Sequence, residues 1–108
     1  SDEIRMRMFV FEDIVTMDSM SIQRFLREVD SKDLVYAIKG SNKDVADTLF
    51  NNMSTKMGET IKSELDYTHN VRLRDVEEAQ QRIVSVIRRL EEEGELVIAK
   101  GGKDDIIV

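Results

Sequence analysis

With 108 residues, 41% of them hydrophobic and 35% charged, the chain has the length for one core and the balance of a soluble globular chain rather than a disordered one. Its net charge of −6 disfavours a nucleic-acid binder, which presents basic surface to phosphate. The absence of cysteine removes disulfides, thiol catalysis and zinc–thiolate sites, and the absence of proline favours a helical chain.

The chain opens at Ser1 with SDEIRMRMFVF, which reads as a helix entered midway and leads us to expect a piece of a longer protein. No signal peptide opens it, and no apolar run approaches the length of a bilayer span. From Asp2 to about Val15, Ile4, Met8, Phe11, Ile14 and Val15 recur at helical spacing. The cluster Met8-Phe9-Val10-Phe11 interrupts that stripe, because no single helix face hides four consecutive bulky side chains. Either two neighbours pack on it, or the helix breaks there and acts as a hinge; an ordinary buried turn is the plain alternative.

Asp18 or Ser19 can cap a second helix with Met20, Ile22, Phe25, Leu26 and Val29 facing inward. Ser31 caps a short third helix, which Gly40 ends in the left-handed position. The stretch SNKD at 41–44 opens a fourth, burying Val45, Leu49 and Phe50. Met53, Met57, Ile61 and Leu65 mark a fifth at i+4 steps. The sixth and longest runs from near Arg74 to Glu93, with Val76, Ile83, Val86, Ile87 and Leu90 as its stripe. Asp75, Glu77 and Glu78 suit the positive end of its dipole. Gly94 stops it, and ELVIAKGGKDDIIV follows as a hairpin or an extended tail. The expected class is all-α, a compact six-helix domain.

Little here suits catalysis or metal binding. Gly101-Gly102 is too short a signal for a phosphate loop. His69 is the only histidine, without paired ligands. The carboxylates fall on outer faces, with no pocket to shift their pKa values. The six methionines are core filler at helical spacing rather than an adaptable groove. We expect no enzyme and no cofactor.

Charge display is what remains. On an ideal wheel the apolar residues of the fifth helix span an arc of ~120°. Lys56, Glu59, Lys62, Ser63 and Asp66 lie opposite as a mixed-sign ridge, whereas Glu64 falls inside the apolar arc. Arg72 and Arg74 stand near the start of the last helix, the unfavourable end for cations. The plain alternative is a solvated face gaining a few tenths of a kcal/mol per i,i+4 pair.

The blocks MFVFEDIV (8–15), SIQRFLREVD (21–30), DLVYAIKG (33–40), NMS (52–54), VRLRDVEEAQ (71–80) and RRLEEEGELVIA (88–99) occur in this order. Together they resemble the C-terminal domain of the bacterial flagellar motor switch family FliG, over essentially the whole chain. The resemblance implies that 1–11 are the end of an armadillo-like segment with the MFVF hinge, and that 12–108 form the torque-transmitting helical domain. It implies a place at the cytoplasmic face of the inner membrane, in the flagellar basal body. It also implies contact with the cytoplasmic loop of the stator protein MotA, alongside neighbouring FliG subunits and the switch proteins FliM and FliN. The stator-facing set carries over as Lys39, Lys56, Glu64 and Arg72. Lys56 replaces an expected arginine, Ser63 stands where the first of two adjacent acids is expected, and His69-Asn70 replaces Gly-Pro. Glu59 and Asp66 join the ridge on position, and Asp66 is the candidate substitute for the acid missing at Ser63. Two other classes stay open: a helical adaptor with no torque role, and a winged-helix-like nucleic-acid reader.

Overall fold

In the computed structural model, which describes residues 8–98, the chain enters extended and turns helical only at Phe11. The helical stripe expected to run to about Val15 breaks at the MFVF cluster, one of the alternatives open there, and a 3-10 helix, Phe11–Thr16, follows the break. The cause is local. The Asp13 carboxylate accepts from the Val10 N–H at 3.0 Å, fixing an entry turn where a continuing helix needs Val10 bonded backwards. The four bulky residues are thereby divided. Phe11 is buried and Phe9 half-buried, whereas Met8 is 64% exposed and Val10 is exposed as well. Val15, expected inward, also faces out.

Five α-helices follow: α1 (Ser19–Leu26), α2 (Ser31–Lys39), α3 (Lys43–Asn51), α4 (Thr55–Tyr67) and α5 (Leu73–Glu92). No strand occurs among the described residues, so the class is all-α. Caps explain the boundaries. Asp18 accepts from Ser21 N–H at 3.1 Å, Asn42 from Val45 N–H at 2.9 Å, and Ser54 from Met57 N–H at 3.1 Å. Asp30, not Ser31, caps α2, accepting from Lys32 N–H at 3.4 Å, and Ser31 becomes the first helical residue.

Gly40 corrects a second expectation. Its φ is −101°, so no left-handed conformation calls for glycine. Close approach does: a Cβ on Gly40 would run into Val76 Cγ1 on the first turns of α5. That contact seats α2 on α5, the main helix pair of the fold, and Gln80 Nε2 donates to the Ala37 carbonyl across it at 3.1 Å. Gly94, by contrast, does adopt a positive φ, 78°, where α5 ends.

The core gathers Ile14, Ile22, Phe25, Leu34, Leu49, Ile61, Ile83 and Ile87 from every helix. Met20, expected inside, is 79% exposed, and Val29, Phe50 and Val86 are only half-buried. Met53 precedes α4, Met57 and Leu65 are half-buried, and Ile61 alone anchors that helix fully. After α5 the chain folds back on α1: Leu96 is buried, Val97 N–H donates to Ser21 Oγ at 3.1 Å, and Arg24 pairs with Glu95 at 3.1 Å. Residues 95–98 form no strand; the rest of the expected hairpin, and the armadillo-like segment at 1–7, lie outside the described residues.

Candidate interaction surface

α4 exists because Ser54 caps it and Ile61 pins it, with half-buried Met57 and Leu65 on the same side; its opposite face is open to water. Lys56, Glu59, Lys62, Ser63, Glu64 and Asp66 are all exposed. The odd position of Glu64 has a simple resolution. It lies in the last turn, where its carbonyl accepts from Thr68 Oγ1 at 2.6 Å, and its carboxylate reaches solvent. Asn70 then turns the chain with φ of 57°, a conformation asparagine tolerates better than most residues. The exposed side chains Tyr67 and Leu73 bracket that turn. Nothing in the apolar periodicity singles out these two, because both look like core candidates.

Arg72 is the N-cap residue of α5 and makes no capping hydrogen bond from its side chain. Lys39 comes to the same end of the helix pair. It precedes Gly40, which touches Val76, and the Val76 N–H bonds the Arg72 carbonyl at 3.1 Å. The sequence-expected residues thus form two groups: Lys56, Glu59, Ser63, Glu64 and Asp66 along α4, and Lys39 with Arg72 at the adjoining ends of α2 and α5. α4 packs against α2, which links the groups.

The described ion pairs all lie away from this surface. Among the described residues, ion pairs join Arg24 to Glu28 and Glu95, Arg89 to Glu28 and Glu93, Lys43 to Asp47 and Arg82 to Asp33. None involves residues 53–75. The Arg24 hydrogen bond, with its charge, holds the Glu28 carboxyl below the usual carboxylate range; Arg89 adds to this. Around α4 the cations and carboxylates have no such partners. Lys62 instead meets a ring: its ammonium lies 5.4 Å from the centroid of Phe50. A contact between two helices has no sequence signal, and Phe50 read as plain core.

Met8–Phe11 lie apart from the ridge. They form one wall of an open cleft of ≈ 730 Å³ whose other wall is α5, from Arg74 to Arg88. Among the described residues no group of three or more His, Cys, Asp or Glu is placed to hold a metal, and no helix is long and apolar enough to cross a membrane.

Residues 1–98 match the family model described as the FliG C-terminal domain. The whole chain is 56% identical to part of the flagellar motor switch protein FliG of Bacillus subtilis, and 55% identical to that of Thermotoga maritima. It spans 32% of each, about a third of the length of these curated relatives. A crystal structure of a Helicobacter pylori FliG fragment superposes with a TM-score of 0.81 at 39% identity, covering 85% of this chain and 40% of that one. Full-length FliG from Aquifex aeolicus gives 0.78 at 30% identity, covering 86% and 29%.

Proposed function

The chain belongs to the FliG C-terminal domain family, and from that premise we propose that it is the rotor part on which the flagellar stator acts. One observation carries the reading: α4 and the following turn concentrate exposed charges of both signs on one surface, and none of them is neutralised by an ion pair among the described residues. Lys39, Lys56, Glu64 and Arg72 are the stator-facing residues, with Glu59 and Asp66 beside them. They meet the cytoplasmic loop of MotA. An exposed ion pair is worth at most about 1 kcal/mol, so each contact forms and releases readily. The charge pattern still steers and orients the approach. A dry apolar interface would hold; this one lets go.

The Met8–Phe11 segment serves as the hinge, supported by its break from helix and its seat along the α5 cleft. Residues 1–11 close an armadillo-like segment, and 12–108 form the domain that turns on it. Turning presents the ridge in a different order to the stator, which reverses rotation. Neighbouring FliG subunits, FliM and FliN complete the ring, at the cytoplasmic face of the inner membrane. A plain adaptor fits less well, since it gives the unpaired charges no task. The nucleic-acid reading loses support because the described tail residues contain no wing strand, and the net charge is −6.

The chain lacks cysteine, so site-directed cross-linking tests the proposal directly. Glu59→Cys in the intact motor, paired with single cysteines along the stator loop, is expected to cross-link in swimming cells. Gln81→Cys, exposed on α5, is expected not to. Absence of cross-links at every ridge position, with swimming intact, would return the charges to a solvated face.

A further inference from the structure

Lys62 and Asp66 stand four residues apart on α4, the spacing at which Lys43 and Asp47 on α3 close an ion pair at 2.8 Å. Both pairs place the cation before the acid, so helix direction does not distinguish them. Yet Lys62 leaves Asp66 alone and sits over the Phe50 ring of α3 instead, 5.4 Å from its centroid. A ring face holds an exposed cation at least as well as an i,i+4 carboxylate does. Phe50 is half-buried and packed on the core, so its ring is a fixed platform.

We propose that Phe50 is a positioning residue of the ridge: it draws Lys62 toward α3 and so keeps Asp66 an unneutralised carboxylate. Asp66 is then the acid that Ser63 does not supply, and it takes an ammonium or guanidinium group from the facing stator loop. The geometry allows the exchange. Counted from buried Ile61, Asp66 lies about 140° round the helix one way and Ser63 about 160° the other, so the two straddle one outward crest roughly 60° apart. With Phe50 absent, Lys62 would swing back and satisfy Asp66 internally, and the crest would lose its acid. The inference rests on the stator-contact reading above.

The test measures torque of tethered cells carrying the full-length protein. Phe50→Leu and Asp66→Asn are each expected to lower torque about twofold, the scale of one exposed pair. Phe50→Tyr, which keeps a ring, is expected to match the parent. The deciding variant is Phe50→Leu with Lys62→Gln: removing the ammonium frees Asp66 again and restores torque. If the double variant stays as low as Phe50→Leu, the ring acts through packing alone and the proposal falls. If Asp66→Asn runs normally while Arg72→Glu loses torque, the ridge reading stands and the role of Asp66 fails. If Arg72→Glu also runs normally, the ridge reading itself fails, and this inference with it.

Discussion

Arg72 is a poor N-cap. It occupies the extended conformation that a cap needs, φ −85° and ψ 151°, yet offers no acceptor and sets a cation at the positive end of a 20-residue helix. Arg72→Asp is therefore expected to raise stability by up to about 1 kcal/mol in urea melts while abolishing motility. A variant that is both less stable and motile would contradict this account of why an arginine stands there. Asp18 shows the opposite economy. Hydrogen bonds from the Ser21 hydroxyl and then its backbone N–H hold the Asp18 carboxyl below the usual carboxylate range. The folded chain thus binds that proton less readily than the unfolded chain. The cap's contribution is full above the ordinary carboxylate range and is lost as pH falls through the lower folded value. Asp18→Asn keeps the acceptor and removes the titration. It is expected to match the parent in urea melts at about pH 7 and to lose less stability at about pH 3.

Among the elements, α4 is the loosest. It buries one side chain fully and carries Gly58 in its interior, where an added Cβ would meet nothing within 4 Å. Glycine in a helix costs about 0.5–1 kcal/mol relative to alanine, and no packing contact returns it here. Gly58→Ala is expected to raise the melting temperature by several degrees, at roughly 4–8 °C per kcal/mol for a domain of this size. Unchanged melting would mean that α4 contributes nothing to the cooperative unit. The helices themselves were legible in the sequence, because caps such as Asn42 and Ser54 and stripes such as Ile83–Leu90 are local signals. Three features were not. The Val10–Asp13 turn overrode a helical pattern, Met20 at the start of α1 points to water, and Gly40 is required by a residue 36 positions away rather than by its own φ. The ridge was legible by position; its lack of ion pairs was not, because pairing is set by tertiary placement, as where Arg82 meets Asp33 from 49 residues away.

For the whole molecule, stability and surface charge are nearly separate properties. The core is apolar and joins every helix, whereas the described ion pairs are exposed or partly so and worth little each. Raising salt from about 0.1 M to about 1 M shortens the screening length to roughly 3 Å. Melting is expected to hold or rise slightly as the excess negative charge is screened, while the stator contact proposed above should weaken by an order of magnitude or more in affinity. Equal loss of both would tie the ridge to folding. The helix between these two behaviours is α5, about 30 Å from end to end. Arg72 heads it, Val76 and Gln80 key it to α2, and its flank from Arg74 to Arg88 faces the segment Met8–Phe11. It is a strut as well as a core element: 20 residues of unbroken helix tie the end that carries Arg72 to the flank that faces Met8–Phe11, so neither can shift without carrying the other along as one stiff rod.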